Sequence, residues 1–159
     1  MVCDIVKVLR SKSKEVVLKI VNKRNDFGQT PLHLAVIKDM TKAIELLLGL
    51  NANPGIVDFK GQTALHLAVV EGNIQSVELI LNSRAGLIDE VDYEGMTVLH
   101  YAVKLNEIRI CEMLLRFNCN CFLRTRSEGN SALILAIKYN LLEIARLLLE
   151  AVGKFVRTV

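Results

Sequence analysis

The chain has 159 residues and a mass of 17.8 kDa, about one domain's worth, with 52% hydrophobic and 23% charged residues. That balance excludes a disordered chain, which needs few apolar residues and a high net charge. No apolar run approaches the roughly 18 residues of a membrane span, and Asp4, Lys7 and Arg10 interrupt the leading apolar stretch where a secretory signal needs continuity. A soluble, intracellular protein, cytoplasmic or nuclear, is therefore expected. The net charge of +3 conceals a pattern, with +5 over residues 1–24, −1 over 25–57, −5 over 58–94 and +4 over 95–159. An acidic middle between basic ends argues for a basic partner and against direct nucleic-acid binding.

In chain order, Val2 to Leu9 is apolar at Val2, Ile5, Val6 and Leu9 and reads as a helix, and Lys14 to Asn22 reads as an extended link. From there the sequence repeats itself. Residues 28–35 are GQTPLHLA, 61–68 GQTALHLA, 95–102 GMTVLHYA and 129–136 GNSALILA, their glycines 33, 34 and 34 residues apart. A second block, Glu45-Leu46-Leu47-Leu48, returns in register as Glu78 to Leu81, Glu112 to Leu115 and Arg146 to Leu149.

Each unit predicts two short helices. The first runs from about Thr30 to Val36, with Leu32, Ala35 and Val36 on one face, and the second carries Ile44, Leu47 and Leu48 inward and Glu45 outward. Turn residues close the second helix, as in Asn51-Ala52-Asn53-Pro54, and a polar tip such as Asp58-Phe59-Lys60-Gly61 leads into the next unit. The predicted division is a partial capping unit at 1–24 and full units at 25–57, 58–91, 92–125 and 126–159. The partial unit would comprise the Val2 to Leu9 helix and the link after it.

A 33-residue unit carrying G-x-T-P-L-H-x-A resembles the ankyrin repeat. The resemblance implies an all-α solenoid of stacked helix-turn-helix units with hairpin-like tips. In that family the Thr caps the first helix and shares hydrogen bonds with the His, which maps onto Thr30/His33, Thr63/His66 and Thr97/His100. In the last unit Ser131 keeps the cap, while Ile134 replaces the His.

The irregularities carry a narrower resemblance. Asn25 to Ile37 looks like the second repeat of the inhibitor-of-NF-κB (IκB) family. The long connection Leu81 to Val91 before Asp92-Tyr93-Glu94-Gly95 resembles the stretched link before their fourth, and Arg124 to Gly129 carries the extra residue of their fifth. This resemblance implies a protein that sequesters Rel/NF-κB dimers and blocks their DNA binding and nuclear entry. The sequence shows neither the Asp-Ser-Gly-x-x-Ser degradation signal nor an acidic tail after Val152. It is similar in this to shortened viral IκB mimics that suppress host immune signalling, and a truncated cellular protein reads the same. The rival readings are a general ankyrin adaptor, such as a substrate-recruiting part of a ubiquitin ligase, and a nuclear Rel co-regulator.

No other chemistry competes. His33, His66 and His100 recur at one repeat position and read as struts rather than as catalytic bases, and no nucleophile–base constellation accompanies them, so no enzyme is expected. Cys111, Cys119 and Cys121 have a spacing foreign to zinc sites, and the first two fall at packed positions. No metal or cofactor is expected, and Cys121 reads as an exposed thiol in a link. The basic residues Lys7 to Arg24 lack interleaved aromatics and read as a solvated face.

What remains is a partner-binding surface. Phe59 and Tyr93 share one tip position and Phe27 lies one place further on in its own, with Asp26, Asp58, Lys60, Asp92 and Glu94 beside them. Large residues at tips are not needed for a core, and aromatic anchors ringed by charge suit an interface. Glu71 and Glu90 extend the acidic surface that the resemblance would set over a basic nuclear-localisation segment. Arg124, Arg126, Lys138 and Tyr139 in the later units would lie against the Rel dimerisation region.

Overall fold

A computed structural model describes residues 13–157. The expected Val2 to Leu9 helix lies outside them. Nine α-helices follow one another among the described residues: α1 Lys14–Val21, α2 Pro31–Ile37, α3 Thr41–Gly49, α4 Ala64–Val70, α5 Ile74–Ser83, α6 Val98–Lys104, α7 Ile108–Arg116, α8 Ala132–Lys138 and α9 Leu142–Arg157. A 3₁₀ turn, Ala85–Leu87, follows α5.

From α2 onward the helices form four antiparallel pairs. First helices stack on first helices (α2, α4, α6, α8) and second on second (α3, α5, α7, α9). The apolar spacing dictates this: Leu32/Leu65/Leu99 and Val36/Val69/Val103 are fully buried between layers, as are Ile44, Val77 and Cys111 in the second row. The small Ala35, Ala68, Ala102 and Ala136 are all buried and let neighbouring helices approach.

Each first helix opens on a Thr or Ser cap and closes on a residue with positive φ: Asp39, Gly72, Asn106 and Asn140. Asn and Asp tolerate that conformation better than other non-glycine residues, which is why they sit there. Asn51 and Asn118 do the same after α3 and α7. Arg84, at the equivalent place after α5, is extended, and the chain exits through the 3₁₀ turn instead. That detour is the long Leu81 to Val91 connection. Among the described residues the tips form no strand, only one antiparallel bridge, Val91–Thr97.

The structure corrects the expected link over Lys14 to Asn22, which is helix α1. Val17 and Val21, four residues apart, pack on Ala52 with Leu47 and Leu50 beside them, and Glu15 pairs with Lys19 one turn on at 2.9 Å. A β-branched, apolar-rich stretch becomes helical because α3 and the turn after it offer a surface for one face.

Candidate protein-binding site

The tips are built by side chains that fold back on their own backbone. Asn25 Oδ1 accepts from the amides of Phe27 and Gln29, at 3.0 and 2.9 Å. Asp58 Oδ1 accepts from Lys60 and Gln62, at 2.8 and 2.9 Å, and Asp92 Oδ1 from Glu94 and Met96, at 2.9 and 2.8 Å. In the last unit Thr125 takes this place, its Oγ1 accepting from Asn130 at 3.1 Å, which accommodates the extra residue of that tip.

Successive tips are zipped together. The carbonyls of Phe27, Lys60 and Glu94 accept from the amides of Phe59, Tyr93 and Arg126, at 3.2, 3.2 and 2.9 Å. The histidines bind each tip to the helix of the unit before it. In each, Nδ1 accepts from the capping threonine's amide, as from Thr63 to His66 at 3.2 Å. That leaves the proton on Nε2, which donates to the next tip: His33 to Gln62, His66 to Met96 and His100 to Asn130, each at 3.2 Å. Burial holds all three imidazoles below their ordinary pKa, against the opposing pull of those carbonyls. The rings are therefore neutral struts between units. Ser131 still caps α8, accepting from Ile134 at 3.4 Å, with no strut beyond it.

Against this scaffold lies one broad groove of about 1090 Å³, walled by the first three tips and by helices α2, α4 and α6. It gathers Phe27, Asp58, Phe59, Lys60, Glu71, Asp92, Tyr93 and Glu94 from the residues marked in the sequence. Phe27, Phe59 and Tyr93 stand 70%, 65% and 62% exposed in a row along its rim. Arg24 stiffens the first of these contacts: its guanidinium lies 5.5 Å from the Phe59 ring centroid while bonding the carbonyls of Gly28 and Val57.

Asp58 and Asp92 are not the exposed acidic contacts expected of them. Both are buried, 5% and 3% exposed, and hold the tips together. Asp92 has a second role, accepting from the Tyr101 hydroxyl at 2.7 Å, which in turn accepts from Gln62 Nε2 at 2.9 Å. Burial, then the carboxylate, pushes the Tyr101 phenol well above its ordinary pKa, so it stays a donor. The exposed charges of the groove are Lys38, Lys60, Glu71 and Glu94.

Asp26, Glu90, Arg124, Arg126, Lys138 and Tyr139 lie outside the groove lining. Asp26, Glu90 and Arg124 are exposed. Arg126 is exposed as well and donates to the Tyr93 carbonyl at 3.4 Å. Lys138 pairs with Glu128 at 2.7 Å. Tyr139 is exposed at the end of α8.

Sequence reasoning missed Leu34, Ile37, Val70 and Tyr101 on the groove floor. Leu34, Leu67 and Tyr101 share one repeat position, and that alternation was a usable signal. The Gln62–Tyr101–Asp92 chain was not, because it joins residues up to 39 apart.

Cys121 is buried rather than exposed, since it takes the place of the buried Pro54. Cys111 and Cys119 lie in the core, their thiols pushed up to about 12 by burial. Among the described residues no three His, Cys, Asp or Glu side chains are gathered as metal ligands would be. None of their helices is long and apolar enough to cross a membrane.

These features define a scaffold of stacked repeats with an open groove along its first three tips. The ankyrin-repeat profile matches residues 2–87 and 83–158, and the chain belongs to that family. Part of it is 46% identical to human NF-kappa-B inhibitor alpha over 44 residues, 28% of this chain and 14% of that protein. Part is 50% identical to the chicken nuclear factor NF-kappa-B p105 subunit over 42 residues, 26% of this chain and 4% of that protein. The matches thus span a small fraction of either relative's length.

Proposed function

We propose that the protein binds a Rel/NF-κB dimer through the groove and the tips beside it, holding the dimer off DNA and out of the nucleus. Two observations support this reading. The local similarity is to an NF-kappa-B inhibitor and to the p105 subunit, and the chain keeps the repeat irregularities that resemble the IκB family. The observation that carries it structurally is the row Phe27, Phe59 and Tyr93, three large aromatics held in the open by a rigid, hydrogen-bonded backbone. Such side chains contribute nothing to the core and supply the buried anchors an interface needs.

The exposed acids Glu71, Glu90 and Glu94 attract a basic segment of the partner, and the exposed Arg124 and Arg126 further along contact its dimerisation region. The setting of such a function is the cytoplasm or nucleus. Replacing Phe27, Phe59 and Tyr93 together by alanine tests the proposal. Each is exposed, so the fold survives, and binding to a Rel-homology dimer weakens by tenfold or more. Undiminished binding by that variant contradicts the aromatic row as the anchor. A well-folded wild-type protein that binds no Rel dimer leaves the adaptor reading.

A further inference from the structure

We infer that the face formed by α6, α8 and the last tip, beyond the groove, docks an acidic peptide segment, and that Glu128 occupies part of this site until such a segment displaces it. The chemistry of the first-helix face reverses halfway along the stack. Ile37 and Val70 share a repeat position with Lys104 and Lys138, and Lys38 and Glu71 share the next one with Leu105 and Tyr139. An apolar floor with charged neighbours thus gives way to a basic strip with apolar neighbours, Leu105 and Tyr139 each standing 44% exposed. The tips change in step. Phe59, Tyr93 and Arg126 each donate their amide to the tip before, so an exposed Arg126 stands where the two aromatics stood. The His100 strut ties that tip to α6. Helix and tip therefore turn basic in the same layer.

Glu128 shows what this strip accepts. Its Oε2 accepts from Lys138 Nζ at 2.7 Å and from Asn130 Nδ2 at 2.6 Å. The Lys138 bond first, then Asn130 and the charge of Lys104, hold its carboxyl below the ordinary range. Both members of the Lys138–Glu128 pair remain at least half exposed, so the pair opens at little cost to an incoming carboxylate. Charge selects an acidic occupant, and its neighbours select a peptide. A nucleic acid carries a charge about every 3.4 Å along each strand, and would run on from the strip into residues 58–94, which carry −5. A short acidic segment ends where the strip ends, and its apolar side chains meet Leu105 and Tyr139. In an extended segment, residues three apart stand about 10 Å apart, close to the spacing of stacked helices, so carboxylates at every third position reach Lys104 and Lys138 together.

The test is fluorescence anisotropy of a fluorescein-labelled peptide, Glu-Leu-Ser three times over, titrated with the full chain to about 1 mM in about 50 mM salt, where exposed charges are weakly screened. The peptide binds, and its Gln-Leu-Ser counterpart binds at least about fivefold more weakly. Lys104→Gln with Lys138→Gln weakens binding about fivefold or more, while Lys14→Gln with Lys42→Gln, the same change of charge on α1 and α3, leaves it within about twofold. Glu128→Gln tightens binding about two- to threefold by freeing Lys138, and Glu78→Gln on α5 does not. All six positions are exposed, so helical circular dichroism stays unchanged. No binding at about 1 mM protein, or a Gln peptide bound as tightly, overturns the proposal. So does an equal loss from the two lysine pairs, or a Glu128→Gln chain that behaves as Glu78→Gln does. A single-stranded oligonucleotide held more tightly than the peptide by the same two lysines overturns it in favour of nucleic acid. No Rel dimer enters these titrations, so their outcome is independent of the Rel reading.

Discussion

Gly61 lies directly beneath Tyr93 of the following tip: a β-carbon on Gly61 would stand 2.6 Å from Tyr93 Cδ1 and 2.7 Å from its amide nitrogen. The same residue has φ of +78°. Two independent demands thus meet at one position, a left-handed backbone and close approach of the next unit.

Gly61→Ala should therefore cost about 2–3 kcal/mol, part from the backbone and part from prying the tips apart. Gly129 has φ of +66° and no atom near its absent β-carbon, so Gly129→Ala should cost only about 1 kcal/mol. Urea unfolding of the two variants measures the difference. Equal costs would show that tip-to-tip packing contributes nothing.

The histidine struts make stability depend on pH with a definite sign. His33, His66 and His100 are held below the ordinary value of 6.5 in the folded chain. Above pH 6.5 both folded and unfolded forms are neutral there and stability is full. As pH falls through 6.5 the unfolded chain takes up protons first, so stability declines, by at most about 1.4 kcal/mol per pH unit for each histidine. Urea midpoints should be level between about pH 8 and 7 and fall clearly by about pH 5. His66→Gln should shallow that decline by roughly a third.

Tyr101→Phe removes the hydroxyl between Asp92 and Gln62. It leaves a buried carboxylate oxygen without that donor, at an expected cost of about 1–3 kcal/mol. The double variant Tyr101→Phe with Gln62→Ala should lose little more than the single one, because the two act as one chain of bonds. Additive losses in thermal melts would contradict the coupling.

The buried thiols make a chemical prediction. Cys111 and Cys119 should resist a thiol reagent at pH 8 in the folded protein, because burial holds them near 12, and should react at once in urea. Cys121 should be slow as well, being buried and shifted in the same direction. Rapid reaction of all three in the native state would show that the last two units open readily.

The repeats were legible because glycine, Thr-x-x-His and the Leu run recur in fixed register, and the observed pairs α2–α3 through α8–α9 follow it within about a residue. Helix α1 was not legible, because Val17 and Val21 declare a helical face only once Ala52 and Leu50 are known to lie against them. Of the candidate site, the exposed aromatics were readable as large residues on turns. The burial of Asp58 and Asp92 was not, since an aspartate in a tip reads alike whether it points to solvent or bonds its own amides. Cys121 misled for a related reason: a residue in a link reads as exposed until its register with the buried Pro54 is counted out.

The central claim is that the groove and tips engage a Rel dimer. The most direct measurement is fluorescence anisotropy of labelled κB DNA preloaded with a Rel-homology dimer, titrated with this protein into the micromolar range. The account predicts that the DNA is released, with the signal falling to that of free DNA and the Phe27, Phe59 and Tyr93 alanine variant shifted to higher concentration. An unchanged signal, with no larger complex formed on the DNA, would contradict it.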